Sequence, residues 1–383
     1  MGPLAGLTII EIAGIGPGPF GAMLLADMGA NVIRVERPTG GLFADQQTNP
    51  KLDVLNRNKR CIGVNLKDPA GVDTVLKLLE QADGLLEGNR PGVMERLGLG
   101  PDVCLERNPK LVYGRMTGWG QEGSFANEVG HDLNYTALSG ALHAMGRAGE
   151  KPAIPLNLVS DFGGGGLMLA FGMVCALLEA KTSGKGQVVD AAMIDGAATL
   201  MASSFAAFQV GFWSDERGTN ILDSGSHFYE VYETADNKYV TIASVEPQFY
   251  AALLEKLGED AGPFQNQWDM AGWPAMKVKM EEIFKRKTRD EWNAFFDGAD
   301  ICYAPVLSMS EVRHHPHHQA RGTFVDDGDV WQPAPAPRFS RTPGEIQRDP
   351  ANLGEHSTEI LQEFGFDDAE ISAVIAAGAV KQA

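Results

Sequence analysis

Short apolar runs, glycine-rich turns and amphipathic stretches alternate through the first half of the chain. Residues 7–12 fit a buried strand, residues 14–18 a turn, residues 19–28 a helix and residues 31–36 a second strand. This order is typical of a parallel α/β layer. The alternation predicts further strands at residues 84–87, 111–115 and 187–192, and helices at residues 70–81, 93–97, 163–181 and 195–212. The expected fold class is α/β, with a large Rossmann-like domain built on a parallel sheet.

The pattern changes near Trp213, which divides the chain of 383 residues into several predicted parts. Residues 1–212 form the large domain, and the polar, Gly-containing residues 213–227 form a linker. Residues 228–310 begin with strands at 229–233 and 239–243 and continue with amphipathic helices, which indicates a smaller α+β domain. Residues 311–340, with prolines at 333, 335 and 337, form a return linker. Residues 341–383, with a helix at 357–364, are expected to pack back on the large domain.

Charge is unevenly distributed along the chain. The formal net charge of −18 argues against nucleic acid or an anionic membrane as the main partner. Between residues 34 and 96, however, ten Lys or Arg side chains stand against nine Asp or Glu. Six cations of this segment could contact a phosphorylated ligand or simply face solvent; they are Arg57, Lys59, Arg60, Lys67, Arg90 and Arg96.

The remaining compositional signals are negative. Residues 1–30 lack a basic stretch followed by an apolar core, so no signal peptide is expected. The most apolar run, residues 166–178, is too short for a membrane span. Four cysteines lie far apart without a C-x-x-C pair, which indicates reduced thiols and a cytoplasmic location. The His-His-Pro-His-His run at residues 314–318 is interpreted as a loop, and no metal site is expected.

Residues 16–21 satisfy the G-x-G-x-x-G pattern of a dinucleotide-binding turn, and Glu36 ends the next strand. Pyrophosphate is bound in such turns by backbone N–H groups, and Pro17 and Pro19 have none. Arg37, directly after Glu36, further complicates recognition of a ribose. A tight turn between strand and helix is the favoured interpretation, and NAD is not expected.

Two side chains thirty positions apart carry the candidate chemistry. His131 lies in a Gly-His-Asp-Leu-Asn-Tyr motif, and Asp161 precedes a Phe-Gly-Gly-Gly-Gly run at the predicted start of a long helix. Histidine has an ordinary pKa close to physiological pH, and a carboxyl group at a glycine-built helix start can exchange a proton beside an anion site. Together they suggest removal and return of a proton at one carbon atom, without a metal or redox cofactor.

Proton transfer at the α-carbon of a thioester also needs a stabilised enolate oxygen. General acid–base catalysis raises the reaction rate by about 10²–10⁴-fold, and a hydrogen-bond donor to the enolate oxygen by about 10²–10³-fold. The glycine run after Asp161 offers backbone N–H groups that could approach this oxygen. A helix start favours the ionised carboxylate, which opposes Asp161 as an acid unless burial or a charged His131 compensates. Taken singly, a histidine such as His131 is usually a hydrogen-bonded loop residue, and an aspartate before a helix such as Asp161 is usually an N-cap.

A series of motifs along nearly the whole chain carries a stronger signal. They are GIGPGP at residues 14–19, VERP at 35–38, RNKR at 57–60, NLK at 65–67, EGNRPGV at 87–93, RLGLG at 96–100, RMTGWG at 115–120, the motifs of His131 and Asp161, EPQFY at 246–250 and PRFSRT at 337–342. With these motifs the chain resembles the family III CoA-transferase superfamily, the CaiB/BaiF-like proteins, and within it the α-methylacyl-CoA racemases.

The resemblance implies a 2-methylacyl-CoA substrate whose C2 centre is inverted by a 1,1-proton transfer through an enolate, with coenzyme A as part of the substrate and no cofactor. His131 and Asp161 match the two catalytic positions, one for each face of C2, and Glu246 matches a third carboxylate that is hydrogen-bonded to the histidine. An intertwined homodimer is also implied, with each site between one subunit's large domain and the other's small domain. The positions that match coenzyme A contacts are Arg37, Val64, Asn65, Leu66, Lys67, Gly88, Asn89, Arg90, Arg96, Gly130, Asp132, Leu133, Asn134 and Tyr135.

Alternative functions remain open within the superfamily. Its CoA-transferases use an aspartate at the Asp161 position as a nucleophile that forms an acyl anhydride, so Asp161 alone does not separate the two reactions. The Gly-His-Asp motif at residues 130–132 belongs to the racemase side. Ser226 and His227 stand where relatives often have Ala-Pro, and Ser160 where many have Gly, which leaves the acyl specificity open. An acyl-CoA binder without catalysis is a third hypothesis.

Overall fold

A computed structural model describes residues 2–40 and 49–383 of the chain. The described strands are β1 Thr8–Ile12, β2 Asn31–Glu36, β3 Lys59–Val64, β4 Gly84–Glu87, β5 Val112–Thr117, β6 Val188–Ala192, β7 Tyr229–Glu233, β8 Tyr239–Ala243, β9 Tyr303–Pro305, β10 Phe324–Asp326, β11 Trp331–Pro333 and β12 Val380–Lys381.

The described α-helices are α1 Pro17–Asp27, α2 Pro69–Leu79, α3 Val93–Arg96, α4 Pro101–Arg107, α5 Asp132–Leu138, α6 Ala141–Ala144, α7 Leu167–Ser183, α8 Met193–Leu200, α9 Ala202–Gln209, α10 Pro247–Leu257, α11 Trp273–Phe284, α12 Arg289–Phe295, α13 Met309–Val312, α14 Pro316–Arg321, α15 Ser357–Glu363 and α16 Asp368–Ala376. A π-helix, Leu158–Gly166, precedes α7, and short 3₁₀ helices lie at Pro50–Leu52, Val54–Asn56 and Gly258–Phe264.

The chain divides into two compact units, which are Met1–Ser139 with Leu156–Leu200 and Gly322–Ala383, and Gly140–Pro155 with Met201–Arg321. Residues 140–155 and 201–212, which the sequence analysis placed in the large domain, thus fall in the second unit. Two contacts join residues 140–155 to the rest of the second unit. Arg147 pairs with Glu230 at 2.8 Å, and Arg217 donates to the His143 carbonyl at 2.7 Å.

The first unit is built on a seven-stranded sheet in the order β12-β3-β2-β1-β4-β5-β6. Strands β1 to β6 run parallel, and the short C-terminal β12 pairs antiparallel with β3. The parallel order 3-2-1-4-5-6 is that of the Rossmann fold. Every residue of β3, β4 and β5 is buried, as expected for a parallel sheet that is covered on both faces. The predicted α/β class with a Rossmann-like sheet is confirmed.

Two apolar layers cover this sheet. On one face, α2, α4, α15 and α16 pack against Ile10, Ile33 and Ile62. On the other face, α1 and α7 pack against Ile9 and Val32. Neighbouring residues of one strand thus enter opposite layers, because side chains alternate across a sheet. The C-terminal helices α15 and α16 thereby complete the core of the first unit.

The π-helix and α7 form one continuous helix, so the helix predicted to start at residue 163 begins at Leu158. Close backbone contacts hold the π-helix in place. A Cβ atom on Gly21 of α1 would lie 2.8 Å from the Gly166 carbonyl oxygen, and one on Gly196 of α8 would lie 1.8 Å from that of Gly164. Only glycine permits such approaches, which explains part of the glycine content of this region.

The continuous helix Leu158–Ser183 has 26 residues and is long and apolar enough to cross a membrane by length and composition. The helix extends beyond residues 166–178, the apolar run that the sequence indicated as too short for a membrane span. Leu169, Ala170 and Met173 on its buried face lie in the core with α1 and the sheet. This packing is that of a core helix in a folded domain, which meets the same criteria.

The second unit contains a three-stranded antiparallel sheet in the order β7-β8-β9. Its core is rich in aromatic side chains, with Tyr232 stacked on Phe284 and Trp292 stacked on Phe296. Helices α10, α11 and α12 supply much of the remaining core. The predicted smaller α+β part of the fold is therefore confirmed.

Three local predictions differ from the structure. The helix predicted at residues 195–212 is two helices, α8 and α9, that part at Met201. The histidine run at residues 314–318 is not wholly a loop, because α14 begins at Pro316, a residue favoured in the first helical turn. Strand β3 was not predicted, since it opens with Lys59 and Arg60, which the charge pattern had suggested as ligand contacts.

Candidate active site

A cavity of about 810 Å³ opens at the carboxyl edge of the seven-stranded sheet. Its walls come from the ends of β1, β4 and β5, the turn before α1, the residues around the start of α5, and the first turn of the π-helix. Open α/β sheets bind ligands at this edge, where the strand order reverses. The reversal here falls between β1 and β4, so the cavity lies at the switch point of the sheet. His131 and Asp161 both line it.

His131 immediately precedes α5. Asn134 Oδ1 accepts the backbone N–H of His131 at 3.0 Å, and the Asn134 N–H donates to the His131 carbonyl at 2.8 Å. One bond from the Asn134 side chain and one from its backbone thus fix the main chain of His131 at the helix start. His131 is exposed, so its imidazole is reachable from the cavity.

The Asp161 carboxyl group is half-buried in the first turn of the π-helix. Asn157 Nδ2 donates to Asp161 Oδ2 at 3.2 Å, and a Cβ atom on Gly16 would lie 3.4 Å from the same oxygen. Burial is the main reason why the pKa of Asp161 is raised above its ordinary value. The Asn157 bond and the charge of His131 oppose the rise, whereas the negative charge of Asp132 adds to it. Burial thus supplies the compensation that an acid at a helix start requires.

The glycine run after Asp161 does not line the cavity as the sequence suggested. Gly164, Gly165 and Gly166 are buried, and Cβ atoms on them would lie within 3.0 Å of atoms in α8, α1 or the π-helix itself. The backbone N–H of Asp161 donates instead to Asp132 Oδ2 at 2.7 Å. Packing between helices therefore uses these three glycines. The expectation that the run presents N–H groups to a thioester oxygen stays a prediction.

The G-x-G-x-x-G turn at residues 16–21 leads from β1 into α1. Gly16 has a φ of 67°, which favours glycine, and α1 begins directly afterwards at Pro17. Glu36, the residue that would contact a ribose in a dinucleotide site, instead pairs with Arg34 and accepts the backbone N–H of Arg37. These contacts agree with the interpretation as a tight turn.

The positions matched to coenzyme A contacts lie along one edge of the sheet. Arg37 follows β2 and Asn65 follows β3, while Gly88 follows β4, so all three stand at carboxyl ends of parallel strands. Arg96 ends α3. The members that line the cavity are Gly88, Asn89, Arg90, Gly130, Asn134 and Tyr135. Those that do not line it are Arg37, Val64, Asn65, Leu66, Lys67, Arg96, Asp132 and Leu133.

Three cations suggested as phosphate contacts are engaged inside the protein instead. Arg57 pairs with Asp27 at 2.6 Å, and Lys59 with Glu11 at 2.7 Å. Arg60 pairs with Glu359 and Glu363 of α15. Each has partners distant in sequence, so neither a phosphate contact nor a solvated surface describes these three side chains.

The cavity includes residues that the sequence did not single out. Glu87 lines it, accepts the backbone N–H of Asn89 at 2.7 Å, and is held by Arg115 at 3.2 Å. Burial raises the pKa of Glu87. Asn157 contacts Asp161 directly. The only feature of the sequence that could have pointed to Asn157 is its position four residues before Asp161.

Glu246 lies in the second unit, where it is exposed and directly precedes α10 without a side-chain hydrogen bond to the helix start. Its predicted bond to His131 stays a prediction. Ser226 and His227, which depart from the family pattern, are buried in the same unit. Ser226 Oγ donates to the Ile221 carbonyl at 2.9 Å, and His227 Nε2 lies 2.7 Å from the Tyr250 hydroxyl oxygen. Both therefore support the core of this unit.

Within residues 2–40 and 49–383, no three His, Cys, Asp or Glu side chains are grouped so as to hold a metal ion. An imidazole and a carboxyl group can each accept and donate a proton, so His131 and Asp161 are candidate proton-transfer groups by their own chemistry.

The fold and the cavity define a doubly wound α/β protein with a histidine and an aspartate in a cavity at the switch point of its sheet. The model of CoA-transferase family III matches residues 4–357 of the chain. The chain therefore belongs to CoA-transferase family III, which confirms the resemblance found in the sequence.

Two racemases are similar to almost the whole chain. Alpha-methylacyl-CoA racemase of Mus musculus is 46% identical over 373 residues, which cover 96% of this chain and 95% of the mouse protein. The Homo sapiens protein of the same name is 45% identical over 374 residues, with coverage of 96% and 95%. Succinyl-CoA:glutarate CoA-transferase of Homo sapiens is 28% identical over 405 residues, which cover 99% of this chain and 90% of the human protein. A CaiB/BaiF family protein from Brucella suis matches in structure with a TM-score of 0.81 at 27% identity, covering 95% of this chain and 99% of that chain.

Proposed function

We propose that this protein is an isomerase that inverts the C2 centre of 2-methylacyl-CoA thioesters. The observation that carries the proposal is the 46% identity to a protein named alpha-methylacyl-CoA racemase, over 96% of the chain. The placement of His131 and Asp161 in one cavity supports it, since inversion needs an acid and a base that reach the same carbon atom.

In the proposed mechanism one of the two groups removes the C2 proton and leaves the electron pair of the C–H bond in an enolate. The other group delivers a proton to the opposite face of C2, and the thioester carbonyl is restored. The raised pKa of Asp161 suits this reaction, because a carboxyl group titrating closer to neutral pH can both accept and donate. Both groups are side chains of the protein, so the chemistry requires no cofactor beyond the coenzyme A of the substrate.

A CoA-transferase that uses Asp161 as an acyl-anhydride nucleophile is the alternative. The similarity to succinyl-CoA:glutarate CoA-transferase, at 28% identity, keeps this reaction in view. The higher identity to the racemases and the presence of His131 in the same cavity favour proton transfer. Hydroxylamine trapping of an acylated Asp161 would support the transferase instead.

We further propose that two copies assemble as an intertwined homodimer with Glu246 of one copy beside His131 of the other. Leu167, Phe171 and Leu178 form an exposed apolar stripe on α7, at the i, i+4 and i+11 positions of one helix face. Exposed apolar rows of this kind favour burial by a partner. The cytoplasmic location inferred from the cysteines stays a prediction.

The decisive experiment incubates one epimer of a 2-methylacyl-CoA with the protein in deuterated water. Racemase activity predicts epimerisation together with incorporation of deuterium at C2, and loss of both in the variants H131A and D161A. Intact protein that yields neither product with several acyl chains would refute the proposal. Exchange of labelled free acid into acyl-CoA, without deuterium at C2, would identify the transferase.

Co-expression of differently tagged D161A and E246A chains tests the shared site. If each site combines residues of two copies, the mixed dimer contains one complete site and regains part of the activity that each variant alone lacks. If Glu246 acts within its own chain, neither half of the mixed dimer is complete and no activity returns. The dimer itself is measured by light scattering after gel filtration.

A further inference from the structure

The carboxylate of Asp132 joins the two segments that carry the candidate proton-transfer groups. Asp132 follows His131 directly, is the first residue of α5, and is 4% exposed. Its Oδ2 atom accepts the backbone N–H groups of Ser160 at 2.8 Å and of Asp161 at 2.7 Å. One buried oxygen atom therefore connects the residue after His131 to the backbone of Asp161.

A second link runs beside the first. Thr136, one turn along α5, donates its hydroxyl group to Asp132 Oδ1 at 3.1 Å, and Thr136 Oγ1 lies 2.6 Å from Ser160 Oγ. Because the single hydroxyl hydrogen of Thr136 goes to Asp132, the Ser160 hydroxyl donates to Thr136. Thr136 and Ser160 are both completely buried. Water does not compete for these bonds, and a broken one would leave a buried polar group without a partner.

We propose that Asp132 is a positioning residue for the reaction, whose carboxylate sets the place of Asp161 relative to His131 and holds a negative charge beside the Asp161 carboxyl group. The inference rests on the proposed function, because it assigns Asp161 a proton-transfer role. It differs from the coenzyme A contact that the resemblance implies for the backbone of residues 130–135. The Asp132 side chain does not line the cavity, so it acts through Asp161 rather than on substrate.

The charges that act on Asp161 come mainly from α5 and the residue before it. The negative charge of Asp132 raises the pKa of Asp161 in addition to burial, and His131 opposes it; the ionisation of Tyr135 is coupled to Asp161 in turn. On other sides of the π-helix, Pro17 of α1 and Met193 of α8 lie closest to its glycines. Of the charged residues on the neighbouring strands, Arg115 of β5 pairs with Glu87 and Glu95, and Asp190 of β6 accepts the Gln121 N–H. Asp195 of α8 is exposed. Removing the Asp132 charge should therefore make Asp161 a stronger acid.

Two substitutions separate geometry from charge. In D132N the amide oxygen can accept both backbone N–H groups, and the amide nitrogen can donate to Thr136, whose hydroxyl then turns to Ser160. The contacts of residue 132 with Ser160, Asp161 and Thr136 and the Thr136–Ser160 contact are thus preserved while the charge is removed, and only the Ser160 hydroxyl hydrogen loses its former acceptor. In D132A the acceptors and the charge are both lost, and the start of the π-helix is no longer tied to α5.

The test measures kcat and KM for epimerisation across pH, together with a ¹³C NMR titration of the Asp161 carboxyl carbon in aspartate-labelled protein. We expect D132N to keep kcat within about threefold at its optimum and to titrate Asp161 about one pH unit lower than the wild type. D132A should lose about 10²-fold in kcat with little change in KM, because Asp161 is misplaced. D195N, which removes an exposed carboxylate from α8, is the matched control and should leave the titration unchanged.

The proposal is overturned if Asp161 titrates at the same pH in D132N as in the wild type. It is also overturned if D132A keeps kcat within about threefold, or raises KM at constant kcat, which would indicate a substrate contact. If D132A does not fold, D132N still decides, since its titration and activity are measured on an isosteric variant. Absence of epimerisation in the wild type would refute the proposed function alone, because the titration of Asp161 in D132N does not depend on turnover.

Discussion

Lys59 Nζ lies 2.7 Å from Glu11 Oε2, and both side chains are almost completely buried at 1% and 2% exposure. Lys59 also donates to the Pro19 carbonyl at 3.1 Å and to Asn56 Oδ1 at 3.0 Å. Glu11 in turn lines the cavity. Burial lowers the pKa of Lys59, and the Glu11 carboxylate opposes that effect. This pair therefore connects β3, β1 and the first turn of α1 next to the candidate site.

Removing one partner of this pair should destabilise the protein strongly. In K59M the Glu11 carboxylate stays buried without its cation, for which we expect a loss of about 3–5 kcal/mol in the free energy of unfolding. The double variant E11Q/K59M should lose less, because no charge remains buried. Urea unfolding followed by circular dichroism gives the values, with exposed Lys185→Met as the control. A loss below about 1 kcal/mol in K59M would contradict the prediction.

A variant of Arg57 tests whether this buried cation stabilises the fold or binds the substrate. It forms two bonds to Asp27, at 2.6 and 3.0 Å, and donates to the Gln332 side chain and the Pro333 carbonyl, both at 2.8 Å. We expect R57A to lose about 3–5 kcal/mol of unfolding free energy, since the buried Asp27 carboxylate is left without a cation.

Exposed Arg37 is the matched comparison for Arg57. R37A should leave the stability within about 0.5 kcal/mol of the wild type and raise KM for acyl-CoA, as a phosphate contact would. Urea unfolding and steady-state kinetics on both variants give the comparison. The assignment of Arg57 fails if R57A is as stable as the wild type but has a raised KM.

These ion pairs show why one strand of the fold could not be predicted from the sequence. Strands β1, β2 and β4 were predicted because continuous apolar runs are typical of buried parallel strands. Strand β3 opens with Lys59 and Arg60, which indicate a surface unless their partners are known. Those partners, Glu11 and the α15 carboxylates, are far away in sequence and become neighbours only in the folded sheet.

The candidate site was predictable to a similar extent. The family motifs singled out His131 and Asp161, and both line the cavity. The π-helix that carries Asp161 was not predicted, because its geometry depends on close contacts with α1 and α8 rather than on a residue pattern. The role of the Asp132 side chain was likewise hidden, since its hydrogen-bond partners lie 28 and 29 positions further along the chain.

His227 should make the stability of the protein depend on pH. It is buried, and Tyr250 donates to the Phe264 carbonyl at 2.7 Å, so His227 Nε2–H donates to the Tyr250 oxygen at 2.7 Å. Within the part of the chain that is described, His227 Nδ1 has no hydrogen-bond partner. Burial lowers the pKa of His227 from 6.5 to about 4.

The sign of the effect follows from the two pKa values of His227. Between about pH 6.5 and pH 4 the unfolded chain binds a proton that the folded protein does not, so stability is complete above this range and falls on acidification. The loss attributable to His227 should reach about 3 kcal/mol near pH 4. Urea unfolding of the wild type and of H227L at pH 7, 6, 5 and 4.5 measures it. We expect their stability difference to shrink as the pH falls, and a constant difference would contradict the assignment.

Asn157 should shift the titration of Asp161 in the direction opposite to Asp132. The bond from Asn157 Nδ2 to Asp161 Oδ2, at 3.2 Å, stabilises the ionised carboxylate and lowers its pKa. In N157A this bond is lost, so the pKa of Asp161 should rise. N157D places a like charge at the same position and should raise it at least as far.

The kinetic consequence depends on the direction of the reaction. For the epimer whose C2 proton is taken by Asp161, the carboxylate must be ionised, so kcat/KM falls as the pH drops through the pKa of Asp161. This fall should therefore begin at higher pH in N157A than in the wild type and at lower pH in D132N. Epimerisation rates of both epimers between pH 4.5 and 8 supply the comparison. A shift of N157A and D132N in the same direction would contradict the role assigned to the residue whose variant moves against its expected direction.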